Sequence, residues 1–105
     1  MYVVLITYTA PLEEIDYVLP DHAEWLGKQY AAGYFLASGR QKPHTGGVVI
    51  AAPMSKDKLV SLLATDPFAQ RGLVHHEVIE FQANRTCRSL MSVNEALLSK
   101  EPMPY

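Results

Sequence analysis

His22, Asp66 and Arg40 are the side chains of this sequence best placed to do chemistry. An imidazole is the side chain whose charge changes near neutral pH, so it can move protons. A carboxylate held against it fixes one tautomer and supports the positive form. His22 falls four residues after Val18 and three before Trp25, on the inward stripe of a helix. There it is either a hydrogen-bonded core group or an acid/base group lining a cavity. Asp21 beside it points elsewhere, because adjacent helical residues do not share a face. Asp66 opens the run Asp66-Pro67-Phe68, which reads either as helix punctuation or as the carboxylate that orients His22. Ser38-Gly39-Arg40 lies where a strand opens into a loop. Its glycine lets a ligand approach the backbone, and Arg40 suits a carboxylate or phenolate. The plainer alternative is a turn with an exposed arginine. Tyr8, Trp25 and Phe68 are candidate walls of a pocket.

Other chemistry is absent from the pattern. His75 and His76 are neighbours on a strand and face opposite ways, while His22 and His44 are scattered. No zinc site is expected from such spacing. Cys87 is the single cysteine, so neither an internal disulfide nor a thiolate cluster forms. There is no phosphate-binding glycine motif, nucleophile elbow or dinucleotide fingerprint, and no cofactor is expected.

The elements that must hold these residues follow from periodicity. Tyr2 to Tyr8 is rich in β-branched and aromatic residues and predicts a strand. After Pro11, Glu13-Glu14 suit a first helical turn, and Ile15, Val18, Leu19, Trp25, Leu26 and Tyr30 keep helical spacing. Pro20 predicts a kink or restart within that helix, and Gly33 its end. Tyr34 to Ala37 predicts a short strand ended by Ser38-Gly39, with a loop from Arg40 to Gly47. Val48 to Ala52 predicts a strand apolar throughout, buried on both faces. Ser55 caps a helix from Lys56 to Ala64 that ends at Asp66-Pro67, and Leu73 to Gln82 predicts a fourth strand. The order β-α-β-β-α-β is the α+β, ferredoxin-like pattern. Helices cover one face of such a sheet, and a second copy packed sheet to sheet covers the other. Residues 1–82 form this domain. In the extension 83–105, Ser92-Val93-Asn94-Glu95 has the form of a capping box before a short helix. Leu90, Met91, Leu97 and Leu98 predict that the extension packs on a homodimer or joins dimers into a larger assembly.

Composition narrows the class. The chain has 105 residues, 49% apolar and 19% charged, with a net charge of −2. That is one globular domain without the basic face that nucleic acid demands. No run approaches the ~20 apolar residues that span a bilayer, and no signal peptide is visible. A soluble, cytoplasmic protein with a small-molecule partner is the expectation.

Taken together, these pieces resemble the YCII-related (YciI-like) family of the dimeric α+β barrel superfamily. They are the opening strand to Tyr8, Pro20-Asp21-His22, Gly33 to Gly39, Val48 to Ala51, and Asp66-Pro67-Phe68 with Gly72 six residues after Asp66. His76 also stands where a family histidine is common. The resemblance covers about residues 1–82. It implies a ferredoxin-like subunit whose sheet pairs with a partner's into a barrel. It also implies an active site centred on a His-Asp pair, carried over here to His22 and Asp66. Characterised relatives include a cofactor-free dehydrochlorinase of a chlorinated hydroxyquinol and, more distantly, muconolactone isomerase. Two positions depart from the pattern. Leu19 stands where members often carry an arginine, and Gly39-Arg40 where they often have Gly-Pro.

The expected function is therefore a cofactor-independent lyase or isomerase acting on a small cyclic or aromatic molecule. His22 moves the proton, Asp66 orients it, and Tyr8, Trp25, Ser38, Gly39, Arg40 and Phe68 bind the substrate. The alternatives are a non-catalytic binding or accessory module and a structural dimer with a filled core.

Overall fold

A computed structural model describes residues 1–98 of the chain. The elements are β1 (Tyr2–Tyr8), α1 (Leu12–Ala31), β2 (Phe35–Arg40), β3 (Gly46–Ala51), α2 (Lys56–Leu63), α3 (Pro67–Gln70) and β4 (Val74–Glu80). A 3₁₀ turn over Arg88–Val93 and the single turn α4 (Glu95–Leu98) follow. The strands make one antiparallel sheet in the order β2-β3-β1-β4. This is the ferredoxin-like α+β arrangement, with α3 added between α2 and β4.

Strand alternation decides which residues meet the helices. Tyr2, Val4 and Ile6 of β1 are buried and pack with Val49 and Ala51 of β3, Trp25 of α1, and Leu59 and Leu63 of α2. A second cluster joins Ile15 and Val18 of α1 to Phe68 of α3 and to Leu73. His22 stands on α1 between these two clusters. The other face of the sheet carries Val3, Leu5, Ile50 and Ile79 by register. The first three are half-buried, and Ile79 is 45% exposed. So β3 is buried on one face within the subunit and half-covered on the other, where both faces were expected to be buried.

Several boundaries differ from the expectation, and β3 spans Gly46–Ala51 rather than Val48 to Ala52. Helix α1 does not restart at Pro20 but runs on to Ala31. Proline removes the N–H that the Asp16 carbonyl would accept, yet both residues are exposed and solvent can serve that carbonyl. Strand β2 does not stop at Ala37. It continues through Ser38, Gly39 and Arg40, which pair with Val49, Val48 and Gly47. The ladder with β3 outweighs the turn preference of Ser-Gly, and the loop shrinks to residues 41–45. The helix before Asp66 ends at Leu63, capped at its start by Ser55 as expected, whose hydroxyl accepts from the Lys58 amide at 3.2 Å. Strand β4 ends at Glu80 rather than Gln82.

In the extension, the cap is Asn94 rather than Ser92. Its Oδ1 accepts from the Ala96 and Leu97 amides at 3.0 and 3.3 Å. Leu90 is half-buried, while Met91, Leu97 and Leu98 are exposed. Residues 99–105 of the extension lie outside the described residues. Among the described residues no helix is long and apolar enough to cross a membrane.

Candidate functional site

His22 reaches the interior because α1 buries Ile15, Val18, His22, Trp25 and Gln29 along one stripe. Its Nδ1 lies 2.8 Å from Oδ1 of Asp66. Asp66 is fully buried at the N-cap of α3, where the same Oδ1 accepts from the Phe68 amide at 3.0 Å. Pro67 fills the first turn of α3, where a missing N–H costs nothing. Helix punctuation and imidazole anchor are thus one arrangement, not rival ones.

Aromatic rings fix the plane of the imidazole. Phe68 stacks on it with centroids 4.1 Å apart and planes at 16°. Trp25 stands at 5.9 Å and 27°. Trp25 is itself pinned, its Nε1 donating to Thr65 Oγ1 at 2.8 Å. A neutral imidazole that donates from Nδ1 to a carboxylate keeps Nε2 as its acceptor. That is the arrangement of a general base.

The ring borders a cavity of about 200 Å³. Of the residues expected to bind a ligand, Tyr8, Ser38, Gly39, Arg40 and Phe68 line it. Trp25 does not; it backs His22. Asp66 does not line it either; it touches the imidazole from behind. The apolar wall lies outside the expected set: Ile6 of β1, Leu19, Ala23 and Leu26 of α1, and Gly47, Val48 and Val49 of β3. The spacing of Leu19, His22, Ala23 and Leu26 on one helical face was the available signal for the α1 part.

Arg40 is spoken for on two sides. Its Nε donates to the Tyr8 hydroxyl at 3.0 Å, and its second terminal nitrogen donates to Asp16 Oδ1 at 2.6 Å. The bond to Asp16, then that to Tyr8, raises the guanidinium's hold on its proton. Asp16 was not singled out from sequence, since nothing local links positions on a helix and a strand 24 residues apart. Ser38 bonds Tyr30 hydroxyl to hydroxyl at 2.5 Å.

His76 lies on the helix-facing side of β4, paired in register with Ile6. Burial lowers its pKa below the ordinary 6.5; the Asp66 carboxylate opposes this, and His75 and His22 add to it. Asp66 Oδ2 and His76 Nε2 are both buried without a hydrogen-bond partner among the described residues. His75 is exposed on the other face, so the two neighbouring histidines diverge as expected. No three His, Cys, Asp or Glu side chains are grouped as metal ligands among the described residues.

The family model of the YCII-related domain matches residues 1–82. A search of the curated proteins gave no match. Similar solved structures include a 5-chloro-2-hydroxyhydroquinone dehydrochlorinase from Burkholderia phenoliruptrix AC1100, in complex with 2,5-dihydroxybenzoquinone. It superposes with a TM-score of 0.65 at 22% identity, over 77% of this chain and 93% of that one. At that identity the likeness is one of fold.

Proposed function

The chain belongs to the YCII-related family, and on that footing we propose that it is a cofactor-independent acid/base catalyst, a lyase or isomerase of small cyclic or aromatic molecules. The observation that carries this is the buried Asp66–His22 bond of 2.8 Å at the wall of a mostly apolar cavity. An apolar cavity of about 150 Å³ accepts a benzene ring. The cavity of about 200 Å³ here is therefore sized for one substituted ring. The structural neighbour, a dehydrochlorinase with a dihydroxybenzoquinone bound, handles a ligand of that size and class. A filled core, the structural alternative, leaves no such space.

In this reading Nε2 of His22 takes a proton from the substrate. The Asp66 carboxylate balances the imidazolium that forms and holds the ring so that it does not turn away. Collapse of the resulting anion then expels a leaving group, as in dehydrohalogenation. Alternatively, His22 returns the proton at a second position, as in lactone isomerisation. Phe68, Ser38, Gly39 and Arg40 frame the ligand, Trp25 braces the base, and Tyr8 closes one end. Two subunits pair through the faces bearing Val3, Leu5, Ile50 and Ile79, which completes the barrel. The C-terminal segment packs on that dimer or links dimers.

The test is turnover. Small hydroxylated and halogenated aromatics, lactones and keto acids are screened with the native chain and with His22→Asn. A substrate turned over by the native chain and slowed about 10²–10⁴-fold by the variant, at unchanged melting temperature, supports the assignment. Ligands that bind with no turnover make the protein a binding module instead.

A further inference from the structure

Resting on the acid/base reading above, we infer that Tyr8 is the electrophilic partner of His22. Its phenolic hydroxyl donates a hydrogen bond to the ligand oxygen on which charge gathers when His22 removes a proton.

Tyr8 ends β1, half-buried, and lines the same cavity as His22. Phe68 touches both rings, edge to face with Tyr8 at 6.2 Å and stacked on His22 at 4.1 Å. A guanidinium has donors and no acceptor, so in the Arg40–Tyr8 bond the phenol oxygen accepts. The phenolic proton is not used in that bond, nor in any bond within the described residues. Arg40 is held from behind by Asp16, so it presents its Nε to Tyr8 in a fixed direction. Arg40 is here a positioning residue: it polarises the hydroxyl and leaves its proton for the cavity. The two strand residues come together across β3, which lies between β2 and β1 in the sheet. Arg40 pairs with Gly47, and Gly47 with Ile6.

Donor and base then serve one ligand from two elements. The proton of a C–H or O–H bond goes to Nε2 of His22. The bonding pair is delocalised through the ligand's π-system onto a carbonyl or ring oxygen, where Tyr8 meets it. No oxidant or second reactant enters. The substrate class is narrowed to neutral cyclic enones, quinols and phenols whose deprotonation places charge on oxygen. A ligand that arrives already highly anionic is disfavoured, because Asp16 already neutralises the nearby cation. With apolar walls from α1, such a hydrogen bond is stronger than in water.

The probe is 4-nitrophenol, whose phenol and phenolate forms absorb at different wavelengths. Its bound phenolate-to-phenol ratio is measured in the native chain, Tyr8→Phe, His22→Asn and the double variant, with folding checked by thermal melts. Tyr8→Phe is expected to lower the ratio about tenfold, the size of one hydrogen bond to a charged acceptor, in both the native and His22→Asn backgrounds. An unchanged ratio in Tyr8→Phe overturns the assignment of Tyr8. So does a phenolate preference that vanishes with His22→Asn alone, although that outcome leaves His22 as the base. No binding of the probe to the native chain overturns it together with the reading of the cavity.

Discussion

One oxygen of Asp66 does two jobs: Oδ1 holds Nδ1 of His22 at 2.8 Å and caps the helix that carries Phe68 at 3.0 Å. The imidazole and the ring stacked on it are therefore positioned by a single atom. Neither can be moved by a change at Asp66 without the other.

Replacing this carboxylate separates rate from stability. Asp66→Asn keeps the size and a capping oxygen but loses the charge that balances the imidazolium. Turnover should fall, though less than in His22→Asn, and the melting temperature should drop modestly. Asp66→Ala also removes the cap, typically worth about 1 kcal/mol, and should melt several degrees lower still. Kinetics run beside thermal melts read both. Equal rates in the native chain and Asp66→Asn would mean that the carboxylate serves only the helix.

Acid should destabilise the protein through His76. Its native pKa lies below the ordinary 6.5, because burial disfavours the cation more than Asp66 favours it. The unfolded chain then binds the proton first as pH falls. The contribution is intact above 6.5 and is lost between that value and the lowered native one. The groups that bias it are Asp66, His75 and His22. Melting temperature should decline as the pH falls below 6.5, and His76→Gln should make that decline shallower. A decline of equal steepness in His76→Gln would assign the acid sensitivity to other groups.

Gly46 tolerates no side chain. A Cβ there would lie 1.7 Å from the Ile6 carbonyl oxygen, inside the neighbouring strand. Gly46→Ala must push β1 and β3 apart, at a cost of roughly 3 kcal/mol, overpacking against backbone that cannot turn aside. Chemical denaturation would show this as a large fall in midpoint. A midpoint within error of the native chain would mean that the strands separate easily here.

Sheet-to-sheet pairing predicts a particle of about twice the 11.7 kDa chain mass in light scattering at micromolar concentration. Leu5→Lys places a charge in the middle of the uncovered face and should shift the protein to monomer while the secondary structure persists. A native chain that runs as monomer removes the barrel.

Much of the site was legible because its parts are local. The inward stripe from Val18 to Trp25 is enough to turn His22 to the interior, and the Asp-Pro pair is enough to mark the start of α3. That these two meet rests on residues 44 positions apart, which no local spacing reports; the family resemblance supplied it. The errors have physical causes of the same kind. Ser38-Gly39 has the composition of a turn, but an available partner strand recruited it into the sheet. Pro20 breaks helices when its freed carbonyl is buried, and here that carbonyl is on the wet side. The Asp16–Arg40 pair depends on how α1 crosses β2, and only the folded chain sets that.

Gly47 also bears on how the cavity could change its size. A Cβ at that position would sit 3.2 Å from the Gly39 carbonyl oxygen and 3.7 Å from Ile6 Cδ1, close but not overlapping. Gly39 belongs to β2, the edge strand, which has a free side to move toward. One residue is thus a dial on the volume of the cavity it lines. A lineage could shrink the space beside His22 by adding carbons there, leaving His22 and Asp66 untouched.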